Sequence, residues 1–192
     1  MKIVKYGDPI LRTRGKRITT ITPEVKALAA DMVQTMREAN GIGLAAQQVG
    51  KALQLCVVDL SLVEDAELAG RIWINGAPSD LKAHMPLILV NPELTPVGKL
   101  KETATEGCLS FPEIFGDVSR LVRVKVSAID LEENPLAFEA DGLLARAIQH
   151  EHDHLHGILF IDRMDSATKA SLASTCKKLK KQTESERRST NV

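Results

Sequence analysis

Residues 148–157 read IQHEHDHLHG, with histidine at every second position, and four of the chain's five histidines lie in this run. Alternation would put all four on one face of a strand. A helix would sort them into two i, i+4 pairs, His150/His154 and His152/His156. The flanking residues decide for the helix. EADGLLARAIQHEHDHLHG contains no proline, offers Asp141 as an N-cap and ends at Gly157, which predicts a helix over about 141–156. Wound at about 100° per residue, Leu143, Ala147, His150 and His154 form one stripe, and Leu144, Ile148, Glu151 and Leu155 its neighbour. Ala145, Gln149, His152 and His156 fall at the margin, beside Arg146 and Asp153. The first histidine pair therefore points inward, while the second faces mostly solvent as surface imidazoles.

Two imidazoles one turn apart on a buried face chelate a single ion, and His-Glu-x-x-His is the signature of that arrangement. Glu151 lies one step round the helix, where its carboxylate reaches water at the ion without binding the ion. The competing reading is a pair of hydrogen-bonded core histidines, but burying both together with Glu151 would be costly. A catalytic site of this kind needs a third protein ligand and one open position. The metalloprotease pattern H-E-x-x-H-x-x-G-x-x-H matches at His150, Glu151, His154 and Gly157, then fails because Phe160 stands at the last ligand position. Glu184 and Glu186 lie in the polar tail. Cys108, in TEGCLSFP between a glycine and a proline turn, is the remaining soft ligand, and Cys plus two His is a catalytic zinc set. A purely structural zinc module would need a fourth protein ligand, and the inward candidates are already used.

The rest of the chain bounds the setting. Its 192 residues suit one domain that buries about 70% of its unfolded surface. With 3% aromatic residues, the core must be built from Leu, Ile, Val and Ala. A formal net charge of zero argues against a protein coated in nucleic acid. MKIVKYGDPILR has no apolar signal region and no run approaches about 18 apolar residues, so a cytoplasmic protein without membrane contact is expected. Three cysteines fit free thiols in a reducing compartment. Cys56, in LQLCVVDL, reads as a small core residue, and Cys176, near the charged tail, as incidental.

Thr22 and Pro23 open an amphipathic helix over 23–39, ended by Asn40 and Gly41. LQLCVVDL, LILVNPEL and VRVKVSAIDL read as strands, and EENP as a turn. Residues 61–86 are either a loop or an extra hairpin. From about 165 a helical pattern fades into KKLKKQTESERRSTNV, expected to be frayed or disordered. The expected fold is α+β: a single domain of antiparallel or mixed sheets around a central His-Glu-x-x-His helix, with residues 1–165 catalytic and 166–192 a helical extension and polar tail.

GIGLAAQQVG, residues 41–50, imitates a dinucleotide fingerprint, but a helix precedes it and a strand follows, so no nucleotide cofactor is expected. GIGLAAQQVG, EGCLS (106–110) and QHEHDHL (149–155), in that order, resemble the three signature motifs of peptide deformylase. YGDPILR and LILVNPEL are similar to that family too, so the resemblance spans about residues 3–163. It implies that Cys108, His150 and His154 bind one divalent ion, Fe2+ in the cell, with Zn2+, Ni2+ or Co2+ as substitutes. It implies Glu151 as general acid and base, with Gln48 and the backbone N–H of Leu109 holding the formyl oxygen. Gly43 would line the substrate groove, and Glu106, Gly107 and Ser110 would brace the site. The substrate implied is the N-formylmethionine of a nascent polypeptide. By proximity to the motifs, Ile42, Leu143 and Ala147 are expected to build an apolar pocket for its side chain. The basic residues Lys177, Lys178, Lys180, Lys181, Arg187 and Arg188 raise a ribosomal RNA contact against the plainer reading of a solvated helix end. Arg146 and the 61–86 segment depart from the family pattern and bear on substrate selectivity.

Overall fold

The computed structural model describes residues 1–190. In chain order its elements are α1 (Pro23–Glu38), β1 (Gly43–Ala45), β2 (Leu55–Val58), α2 (Ala66–Ala69), β3 (Ile72–Ile74), β4 (Ala77–Ser79), β5 (Leu87–Pro96), β6 (Lys101–Cys108), β7 (Phe111–Leu121), β8 (Arg123–Ile129), β9 (Pro135–Asp141), α3 (Gly142–Leu155), α4 (Phe160–Arg163) and α5 (Ser166–Thr190). Seven strands form one sheet in the order β1-β2-β5-β8-β9-β3-β4, and β6 with β7 forms a separate two-stranded ribbon. Every pairing between these strands is antiparallel. The α+β expectation holds, with the histidine helix at the centre.

Strand β2 shows how the layers assemble. Alternate side chains leave opposite faces of a strand, and all four residues here are buried. Cys56 and Val58 pack with Leu144, Ala145 and Ile148 of α3. Leu55 and Val57 pack with Met32 and Met36 of α1 on the other face. The sheet is thus sandwiched between α1 and α3, and each fully buried Leu or Ile contributes about 1.5–3 kcal/mol. A third cluster joins Phe111, Ile114 and Val118 of β7 to Phe160 and Ile161 of α4 and Cys176 of α5. Helix α3 therefore runs between the large sheet and the β6–β7 ribbon, covered on both sides.

That double cover corrects the helical-wheel reading of the margin. Asp153 is buried, and Arg146 has only 13% of its side chain exposed, because the ribbon lies over them. His152 and His156 are half-buried rather than solvent-facing. Two caps also differ. Thr22 and Asp141 occupy N-cap positions but make no side-chain cap bond. The Asp141 carboxylate instead accepts from Arg71, at 2.7 Å from its backbone N–H and at 3.0 and 2.6 Å from its guanidinium.

Residues 61–86 contain the extra hairpin: β3 pairs with β9 and β4 with β3, extending the sheet at its far edge. The largest correction is the C-terminal segment. It is not frayed: α5 is continuous through Thr190, with Cys176 and Thr183 buried; the last two residues of the tail lie outside the described residues. Cys176 is part of the third cluster rather than incidental, with Leu172 and Leu179, one turn away on either side, packed against the same cluster.

Candidate metal centre

Three elements converge at one point. Cys108 is the last residue of β6, where a register shift between Gly107 and Cys108 turns the strand out of its ladder with β7. His150 and His154 sit one turn apart on α3, their ring centroids 5.1 Å apart. One ligand atom from each of the three lies within 4.8 Å of the others, and His154 Nε2 is 3.3 Å from the Cys108 sulfur. The wheel's choice of the first histidine pair is the one that the fold brings to the cysteine.

The donor set fits a divalent ion. Glu106 Oε2 accepts from His150 Nδ1 at 2.9 Å, which leaves Nε2 for a ligand and fixes the ring. Arg120 donates twice to Glu106, at 2.9 Å each, and Arg146 once, also at 2.9 Å. Burial pushes the Glu106 carboxyl up, but Arg120 and His150 outweigh it and bring its pKa to about 2, so it stays anionic. Burial likewise opposes charge on His150, yet hydrogen bonds to Cys108 and Glu106 raise its pKa well above the imidazole range. Burial and the neighbouring His150 hold His154 well below the imidazole range, in the neutral form that ligates.

Glu151 is 4% exposed, and its Oε2 has no partner among the described residues. Burial first, and then the charge of Glu106, raise its pKa to about 7 against the pull of His150 and Arg120. That value suits a group that takes and returns one proton near neutrality. Gly43 makes its room: a Cβ there would stand 2.3 Å from Glu151 Oε1. Gly41 does the same for Leu109, whose Cδ1 would lie 2.6 Å from a Cβ on Gly41. Gln48 is held by its own oxygen, which accepts from the Ala45 N–H at 2.8 Å. Its Nε2 therefore points at the Cys108 sulfur, 3.5 Å away, and at the Ser110 hydroxyl, 3.4 Å away.

These groups open into a cleft of about 570 Å³. Ile42, Gly43, Gln48, Cys108, Leu109, Leu143, Ala147, His150 and Glu151 all line it, so the residues singled out from sequence meet there; His154 lies behind them, 1% exposed. Sequence reasoning missed Arg120, buried between Glu106 and Asp153. It shares the inward face of β7 with Ile114 and Val118, in a strand that the sequence reading did not recognise. Lys5 and Phe115 also line the cleft and were missed.

The family model described as polypeptide deformylase matches residues 1–170. A peptide deformylase of Opitutus terrae is 48% identical over 185 residues, covering 94% of this chain and 93% of its own. One from Acinetobacter baumannii is 40% identical, covering 97% of this chain and 96% of its own. Among solved structures, a Plasmodium falciparum peptide deformylase superposes with TM-score 0.82 at 32% identity, covering 96% of this chain and 98% of its own. A Synechococcus elongatus peptide deformylase in complex with actinonin gives TM-score 0.75 at 39% identity, covering 90% and 86%.

Proposed function

Because the chain belongs to the polypeptide deformylase family, we infer that its cleft takes the formylated N-terminus of a newly made polypeptide and that the residues at its floor hydrolyse the formyl amide. The observation that carries the assignment of roles is the joint one at the floor. Three ligand atoms lie within 4.8 Å of one another, beside a buried carboxylate with an unpartnered oxygen. Cys108, His150 and His154 hold the ion. When bound, a divalent ion supplies Lewis acidity, polarising a carbonyl and lowering the pKa of water. Fe2+ is the working ion by family resemblance, and Zn2+, Ni2+ or Co2+ can replace it.

Glu151 accepts the proton of the attacking water as its oxygen bonds to the formyl carbon. Gln48 Nε2 and the Leu109 N–H donate to the oxygen that gains negative charge; such a donor is worth about 3–4 kcal/mol of transition-state stabilisation. Glu151 then gives its proton to the amine nitrogen, the C–N bond breaks, and formate and a free N-terminus leave. Gly43 keeps the groove open, while Ile42, Leu143 and Ala147, with the stem of Arg146, receive the methionine side chain. Residues 1–165 make up this catalytic unit. Residues 166–192 extend it as a basic helical tail; we read its charged face as a solvated helix end, with a passing ribosomal RNA contact as the second reading. We place the work in the cytoplasm.

The test is formate release from a formyl-Met peptide, run beside the same peptide without its formyl group and with an internal peptide substrate. Formate from the first alone supports the reading. Cleavage of internal peptide bonds without formate would point to a peptidase.

A further inference from the structure

The N-terminal segment crosses the site, and three consecutive residues bind the two elements that carry the oxygen donors. Val4 N–H donates to the Gln48 carbonyl and Tyr6 N–H to the Ser110 carbonyl, each at 2.9 Å. Between them, Lys5 Nζ donates to the Leu109 carbonyl at 2.7 Å. The Tyr6 ring stacks on Phe111, centroids 4.6 Å apart, which fixes the segment to the far side of the same turn. Gln48 belongs to the stretch after β1, and Leu109 to the turn between β6 and β7. The segment thus bridges two elements that must stay in register for both donors to reach one oxygen.

We propose that Lys5 is a positioning residue for the reaction: its ammonium, clamped on the Leu109 carbonyl, holds the turn so that the Leu109 N–H stays aimed at the oxygen gaining charge. A short bond from an ionised donor is stronger and more directional than a neutral one. The turn needs such a hold, because Leu109 lies just beyond the bulge where β6 leaves its ladder, and Gly107 before it supplies no side chain to pack. Misplacement of a catalytic group by about 1 Å costs roughly 100-fold in rate. The inference rests on the reading of Gln48 and Leu109 as the oxygen donors.

The experiment compares metal-loaded wild type with Lys5→Met, Lys5→Arg and Gln48→Leu. Lys5→Met should keep its metal and its KM within about twofold, and lower kcat roughly 10- to 100-fold. Lys5→Arg should recover most of that loss. In the zinc-loaded protein, amide hydrogen exchange at Leu109 and Ser110 should speed up in Lys5→Met and not in Lys5→Arg. If the methionine variant folds poorly, Lys5→Gln, with its shorter reach, is read by the same measurements. Unchanged kcat in Lys5→Met while Gln48→Leu is disabled would overturn the proposal, as would a change in KM alone, which would make Lys5 a substrate contact. A Gln48→Leu enzyme with wild-type kcat would sink the oxygen-donor reading, and the proposal with it.

Discussion

Gly43 and the two histidine pairs carry the residue-scale predictions. Gly43→Ala puts a methyl group 2.3 Å from Glu151 Oε1. Because Glu151 is buried on the face of α3 that meets β1, its carboxylate must move, so kcat should fall at least tenfold while metal content stays at one ion per chain. Elemental analysis of the purified variant, with its kinetics, checks both halves. His150→Ala or His154→Ala should abolish stoichiometric metal binding, since two ligands cannot hold the ion. The double variant His152→Ala/His156→Ala should keep it. Loss of metal from the double variant instead would overturn the assignment of pairs. At this scale the sequence was most legible. Helical periodicity alone separates the inward histidines from the outer ones, because their angular positions depend on nothing beyond α3. Arg120 was not read as buried, because its place between Glu106 and Asp153 depends on pairing that joins residues 14 and 33 positions apart.

Among elements, α5 and the Arg37–Asp59 link are the two that stability measurements can reach. The polar composition of the tail conceals its role, since few of its side chains are apolar. Those few, Leu172, Cys176 and Leu179, fall one turn apart on one stripe and meet the third cluster. Removing residues 166–192 exposes that cluster, at a cost of about 3–5 kcal/mol for two or three side chains, or roughly 10 °C in Tm. Thermal denaturation should show that loss with metal still bound; an unchanged Tm would return α5 to the status of an appendage. Asp59, at the end of the strand that follows β1, is 4% exposed and accepts two bonds from Arg37 of α1, at 2.8 and 2.6 Å. Burial pushes its carboxyl up, but Ser61 and Arg37 more than offset this and leave its pKa below the usual value. A carboxyl lowered on folding stabilises fully above its unfolded pKa of about 3.9 and loses that contribution as pH falls through the folded value. The stability gap between wild type and Asp59→Asn should therefore be constant above about pH 5 and shrink below about pH 4. Urea unfolding at several pH values checks it; a gap that widens on acidification would contradict the pairing. Strands β6, β7 and β9 were not read from sequence, since Lys, Glu and Thr dominate the exposed face of β6 and leave it without an apolar run.

At the scale of the whole molecule, three motifs far apart in the chain meet in one centre. The order of motifs was readable, and so was the ligand set once Phe160 had removed the peptidase alternative. What joins them, the passage of α3 between sheet and ribbon, was not readable, because it is set by long-range packing. Protein loaded anaerobically with Fe2+ should turn over far faster than the zinc form and lose that advantage in air, where iron beside a thiolate and Cys108 itself are oxidised. Equal, air-stable turnover by both would count against iron alone. In the proposed reaction, an ion held by Cys108, His150 and His154 works with Glu151 as the proton carrier on a formyl amide. Glu151→Gln separates these two parts, with formate release from a formyl-Met peptide and metal content measured on the same preparation. The variant should keep one ion per chain and release formate about 10² to 10⁴-fold more slowly. Loss of the ion, or formate release at the wild-type rate, would contradict the proposed reaction.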